Sequence, residues 1–289
     1  MNSAFTTGKY GIYKLGMSTT GKCWMNNKQT HILTIDVEEW FHVSFLESLI
    51  NKSQWPSKES RIRSMIDTTL GILDDHKVKA TFFFVGWLAK HHQDIVKQVY
   101  NNSHEVASHG YWHRECNKIT NLEFKEDIIL AKKILEDTIS NKIYGFRAPT
   151  YSITKDKEWA LDEIAQAGYY YDSSLLYGNN EPYEVRPGLL EIAPNSICFN
   201  GKWLPMGGGF VFRTLPYSWY RLYINYLQNK GCRLNFYIHS WELYVDYPRI
   251  DLDFAKKFVQ YYNLKDTKKK FVQLLNDYKF ASIENLYFK

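Results

Sequence analysis

From residue 31 to the C-terminus, short apolar runs alternate with amphipathic stretches. Residues 32–37 and 80–85 are predominantly apolar runs of strand length. They are followed by segments with apolar residues at helical spacing, 61–76 and 88–100. The rhythm continues with strands at 105–108, 143–146 and 234–238, and helices at 122–139 and 157–167, the latter stopped by Gly168. Further helices at 217–229, 253–261 and 268–278 precede a closing strand at 280–283. Such alternation predicts an α/β protein with a parallel sheet, and a β/α pattern repeated over about 250 residues favours a barrel. Residues 178–215 break the pattern and are rich in Gly and Pro, which suggests an insertion covering an active site. The first thirty residues show no periodicity, so 1–30 is expected to be a flexible segment and 31–289 the folded domain.

The length of 289 residues suits one large domain with a substantial core. The longest apolar run, 80–89, is too short to span a bilayer. No apolar h-region marks the N-terminus as a secretory signal, and Cys23, Cys116, Cys198 and Cys232 show no Cys-x-x-Cys pairing. Both features point to reduced thiols and a cytoplasmic protein, working at the inner face of the membrane if its substrate is anchored there. A net charge of +5 and a pI of 8.7 are too modest to imply nucleic acid. They allow peripheral contact with an anionic membrane or a phosphorylated carrier. Lys268–Lys270 is most simply the charged face of a terminal helix. Aromatic residues make up 17% of the chain; rings could line a sugar-binding groove, with most simply in the core.

The candidate chemistry gathers at strand ends, where barrels of this kind carry their active sites. Asp36-Val37-Glu38-Glu39 ends the first strand, and His109 and His113 stand four residues apart after the third. Two imidazoles with a carboxylate from a distant strand are what a catalytic divalent-metal site needs. Residues i and i+2 of a strand share a face, so Asp36 and Glu38 reach one site while Glu39 faces away and is expected to be structural. His42 is a candidate fourth ligand, a substrate contact or a hydrogen-bonded loop histidine. Arg147, Asp172 and His239 close three more short apolar stretches, in Gly-Phe-Arg-Ala-Pro (145–149), Tyr-Asp-Ser-Ser (171–174) and Phe-Tyr-Ile-His (236–239). Gly207-Gly208-Gly209 lacks the Lys-Ser/Thr of a phosphate-binding P-loop.

Taken in order, these segments resemble the polysaccharide deacetylase (NodB-homology) family of metal-dependent carbohydrate esterases. Asp-Val-Glu-Glu-Trp-Phe-His-Val (36–43), Phe-Arg-Ala-Pro-Thr-Tyr-Ser (146–152), His-Ser-Trp-Glu (239–242) and the Gly-rich stretch ending at Arg213 resemble a branch linked to cell-surface polysaccharide synthesis. The resemblance implies a distorted (β/α) barrel, an N-acetylated glycan or lipid-linked sugar as partner, and removal of an acetyl group from it. It implies Asp36 as general base, Glu38, His109 and His113 as metal ligands, Arg147 as the arginine holding the base, and His239 as general acid. Asp172 is expected to pair with His239 and raise its pKa. Many family members carry a second Asp where Val37 stands, which leaves the roles of Asp36 and Glu38 exchangeable. The family's Trp after Asp172 is also missing, so Trp241 and Tyr151 are expected to supply the substrate wall, and Arg213 an anion contact. Glu242 reads as a partner of the site or a surface charge. Zn²⁺ is the leading metal, with Co²⁺, Ni²⁺, Mn²⁺ or Fe²⁺ also suited. The alternatives are the same site acting on a formylated sugar or a cyclic amide, and a catalytically inactive carbohydrate-binding relative. The oligomeric state is not legible.

Overall fold

The computed structural model of the chain describes residues 29–289; the expected flexible segment lies outside them but for its last two residues. The first half alternates as the apolar pattern predicts: β1 (His31–Val37), α1 (Ile62–Asp75), β2 (Thr81–Phe84), α2 (Gly86–His91), α3 (Gln93–Asn101) and β3 (Glu105–Ser108). It continues through α4 (Asn121–Ile139), β4 (Gly145–Phe146), α5 (Trp159–Gln166) and β5 (Tyr171–Asp172). The irregular region forms two hairpins, β6 (Tyr183–Arg186) with β7 (Leu189–Glu191) and β8 (Ser196–Phe199) with β9 (Lys202–Pro205), then α6 (Gly209–Thr214). The chain ends through α7 (Tyr217–Asn229), β10 (Asn235–His239), α8 (Phe254–Tyr261), α9 (Leu264–Asp277), β11 (Phe280–Ala281) and α10 (Ile283–Tyr287).

The main sheet runs β6-β7-β5-β4-β3-β2-β1-β10, with β11 also paired to β1. Every pairing is parallel except the β6–β7 hairpin at the edge. β1, β2 and β3 are buried on both faces, and β1 and β2 accordingly read as largely apolar runs. The sheet curls into a half-barrel, and side chains draw its two ends together. Asn235 on β10 donates Nδ2 to the Ile192 and Ala193 carbonyls just beyond β7, and its own amide donates to Asn195 Oδ1. The sheet is therefore open, and the barrel expected from the sequence is a distorted one.

Strand alternation sorts the side chains. Leu33, Ile35 and Val37 pack outward among the helices in the larger apolar cluster. Ile32, Phe83, Ala107, Tyr171, Ile192 and Ile283 form a second cluster in the barrel floor. Above that floor stand Thr34 and then Asp36, two residues apart on one face of β1. No helix among the described residues is long and apolar enough to cross a membrane.

Candidate metal centre and active-site cleft

Glu38 continues the inward face of β1, and its Oε1 lies 3.2 Å from His109 Nε2 and 3.0 Å from His113 Nε2. Glu38, His109 and His113 are all buried, and their ligand atoms lie within 4.8 Å of one another. Val37, where a second aspartate stands in many of the enzymes the sequence resembles, points into the outer core instead. The carboxylate is supplied one residue later by the strand's alternation. Burial alone would raise the Glu38 carboxyl. The His113 and His239 charges and the hydrogen bonds from the two imidazoles outweigh it and hold Glu38 well below the usual range.

The loop carrying both histidines is anchored from below. Asp127 on α4 accepts from the Tyr111 and Trp112 amides at 2.5 and 3.1 Å and from the Arg114 guanidinium. This fixes a backbone in which Gly110 and His113 have φ of +70° and +50°. Left-handed φ at a histidine costs energy, and the surrounding bonds hold it there. His109 Nδ1 bonds the Arg147 carbonyl at 2.7 Å, which fixes that ring's tautomer and leaves Nε2 free for a metal. Asp127 was not singled out in the sequence; nothing in a helix-face aspartate signals that it caps a distant loop.

Asp36 meets Arg147 as expected. Arg147 Nη1 donates to Asp36 Oδ1 at 2.7 Å and to Thr34 Oγ1, while Nε and Nη2 reach the Ser173 carbonyl and hydroxyl. Asp36 is also the cross-strand register partner of His239 on β10. Base and acid candidates thus leave adjacent strands at one level, flanking Glu38.

The partner of His239 differs from expectation. Its Nδ1 lies 2.9 Å from Glu242 Oε2, which also accepts the His239 backbone amide, and Glu242 Oε1 accepts Arg213 Nε at 2.6 Å. Burial alone would lower the His239 pKa; the Glu38, Glu242 and Asp36 charges reverse this and hold it at about 9. Asp172 plays no part in this. It is fully buried outside the cleft, accepts from Ser174 Oγ, and hydrogen-bonds the Glu191 carboxyl across β5 and β7. Burial raises both members of that pair, so one of them keeps a proton near neutrality. Glu242 could have been found from its position three residues after His239, within reach across one tight turn.

Arg213 does not await an anion. Its guanidinium is fully buried and bonded by Glu242 and the Val259, Gln260 and Tyr262 carbonyls. It holds Glu242 rather than a ligand. Lys270 is likewise no part of an exposed basic face: its Nζ caps the C-terminal carbonyls of α6 and the turn after it, Phe212, Arg213 and Leu215. Glu39 is structural as expected, its Oε1 accepting the Arg61 and Ile62 amides at the start of α1. The three glycines serve close approach: a Cβ on Gly208 would sit 1.9 Å from the Tyr237 carbonyl of β10.

These groups open into a cleft of about 280 Å³. Tyr151 and Trp241, the residues expected to supply a substrate wall, line it, with Trp241 stacked on the His239 ring at 5.1 Å. Pro205 and Phe210, from the irregular region, form its far side, so that region does border the site.

Comparison with known proteins agrees with this geometry. The sequence model of a family described as polysaccharide deacetylase matches residues 57–171, and a domain of unknown function, DUF3473, matches 174–288. A Bacillus cereus peptidoglycan-N-acetylglucosamine deacetylase is 27% identical over 187 residues, covering 55% of this chain and 66% of its own. The chain spans between 28% and 66% of the length of the first curated relatives it matches. Among solved structures, a putative polysaccharide deacetylase from Mycobacterium smegmatis superposes with a TM-score of 0.60 at 18% identity, covering 91% of this chain and 90% of that one. A CE4 family pseudoenzyme from Bacillus anthracis superposes at 0.50 with 14% identity, covering 90% and 66%. Both likenesses are of fold.

Proposed function

We propose, from the match of residues 57–171 to the polysaccharide deacetylase family model, that the chain belongs to that family and is a metal-dependent hydrolase. Its reaction would remove the N-acetyl group from an amino sugar of a surface polysaccharide or its lipid-linked precursor. The observation that carries this reading is the convergence of both imidazole Nε2 atoms on Glu38 Oε1, between an Arg-held aspartate and a Glu-held histidine.

Two buried imidazoles and one carboxylate, preorganised around one point, suit Zn²⁺ first and Co²⁺, Ni²⁺, Mn²⁺ or Fe²⁺ next. A cation held by Glu38, His109 and His113 would polarise the acetyl carbonyl and lower the pKa of the attacking water. Asp36 takes that water's proton, and Arg147 keeps its carboxylate ionised and oriented. His239 returns a proton to the departing amine, its ring held by Glu242 through Nδ1 with Nε2 facing Glu38. Tyr151 and Trp241 offer flat apolar faces to the sugar. We propose that the protein works in the cytoplasm, at the inner face of the membrane where its substrate is lipid-linked.

Asp36→Asn tests the assignment. Acetate release from an N-acetylated oligosaccharide should fall about 10²- to 10⁴-fold, the usual worth of a general base, with metal content unchanged. Full activity would contradict the base role. Formate or a ring-opened acid in place of acetate would redirect the reading to another amide. Sugar binding without turnover in metal-replete protein would favour an inactive binding relative.

A further inference from the structure

The two histidines of the proposed metal centre are held unequally. His109 has its second nitrogen fixed by the Arg147 carbonyl, whereas His113 Nδ1 is buried without a partner. Metal-ligating imidazoles ordinarily donate the second N–H to a carbonyl, carboxylate or water, and that bond sets ring orientation and tautomer. A buried N–H left unsatisfied costs about 1–3 kcal/mol.

The missing acceptor has an address. His113 lines a small cavity of about 10 Å³ together with His42, Ser44 and Trp55. His42 is 97% buried by its 3% exposure, and its Nε2 is also unpartnered, as are Ser44 Oγ and Trp55 Nε1. The tautomer of His42 follows from its other side. Its Nδ1 accepts the Glu39 amide at 3.3 Å, so that nitrogen is bare and the proton sits on Nε2. With a cation on Nε2 in place of the Glu38 contact, His113 carries its proton on Nδ1. The two imidazole N–H groups thus border one cavity with the Trp55 N–H and the Ser44 hydroxyl, and none of the four has a protein partner within hydrogen-bond reach. Glu47, the carboxylate in the lining, is paired with Lys52. The volume is that of about one water probe, and water accepts two hydrogen bonds.

We propose that this cavity is a built solvent site in which one water bridges His42 Nε2–H and His113 Nδ1–H. His42 is then a positioning residue that orients the second imidazole of the metal centre. It is not a fourth ligand: it lies outside the group of converging ligand atoms, its ring packed on Trp55 at 4.3 Å and 6.4 Å from that of His113. The inference rests on the metal-centre reading above.

The test compares Zn²⁺ affinity, by competition with a chromophoric chelator, in wild type, His42→Phe and His42→Gln. A high-resolution crystal structure of the zinc-loaded wild type accompanies it. His42→Phe keeps a ring on Trp55 but removes the bridge, and should weaken Zn²⁺ about 10- to 100-fold. It also removes the acceptor of the Glu39 amide, so the metal-free protein should lose about 1–3 kcal/mol and the affinities are compared well below its melting temperature. His42→Gln restores a polar group and should recover most of the loss. The crystal structure should show one ordered water within hydrogen-bond reach of both nitrogens. No water there, or equal Zn²⁺ affinity in all three proteins, overturns the inference. If His42→Phe does not fold, wild-type affinity in His42→Gln together with that water still supports it. A wild type that binds no Zn²⁺ refutes the metal-centre reading itself, a distinct outcome.

Discussion

Replacing Glu242 by glutamine keeps the side chain's volume, removes its charge and turns one acceptor oxygen into a donor. In the wild type the carboxylate accepts three bonds, from Arg213 Nε, the His239 amide and His239 Nδ1, all at 2.6–2.9 Å. A bond to a charged acceptor is worth about 1 kcal/mol more than a neutral one, so the substitution should destabilise by about 3 kcal/mol. Arg213 keeps its three carbonyl acceptors, which prevents a larger loss. At ~2 °C per kcal/mol for a chain of this size, the melting temperature should fall by roughly 6 °C. His239 loses its orienting carboxylate, and general-acid assistance is worth about 10²–10⁴ in rate. Acetate release should therefore drop about 10²-fold or more in kcat, measured on an N-acetylated oligosaccharide well below the new melting temperature. Asp172→Asn, in the carboxyl pair outside the cleft, should leave kcat within about threefold. Full activity in Glu242→Gln together with a collapse in Asp172→Asn would refute this reasoning and restore the pairing expected from the sequence.

Three further outcomes follow from the packing. Burial holds the Glu105 carboxyl at about 7 against its ordinary 4.5, despite bonds from Thr81, Glu284 and Tyr171. The folded state thus binds the extra proton, and this contribution is full below pH 4.5 and lost as pH rises through 7. It amounts to about 3 kcal/mol, so Glu105→Gln should flatten the decline in melting temperature over that window; parallel curves would contradict it. Gly208→Ala should destabilise by about 3 kcal/mol in a denaturant titration, because its Cβ would meet the Tyr237 backbone. Gly71→Ala, in α1 with no atom within 4 Å of the new methyl, should stabilise by about 0.5–1 kcal/mol in the same assay.

The parts of the fold legible in the sequence are those whose burial is simple. β1 and β2 are covered on both faces, so largely apolar runs mark them, and 105–108 emerges with its observed bounds although Glu105 and Ser108 interrupt its apolar character. The expected helix at 88–100 is two helices, broken at His92 with φ −134° and ψ 54°, where no Gly or Pro gives warning. Residues 178–215 hide two hairpins because their strands are mostly half-exposed and pack on one another rather than on the core. Asp36, Glu38, His109, Arg147 and His239 converge because each stands at or just past the end of a strand whose direction is fixed, and His113 follows in the loop after β3. Asp172 also ends a strand, yet its side chain turns to Glu191. Position along the chain says where a carboxylate stands and not which neighbour it meets. Arg213 and Lys270 mislead for the same reason: a cation in a loop or on a helix looks solvent-facing until the carbonyls it caps are seen.

The most direct test of the account is metal content by elemental analysis, run beside acetate release, for wild type and a His109→Ala/His113→Ala double variant. The account predicts about one transition-metal ion per chain in the wild type, none in the variant, and acetate release lost with the metal. Protein that takes up no metal after reconstitution, or that releases acetate equally in both forms, would contradict it.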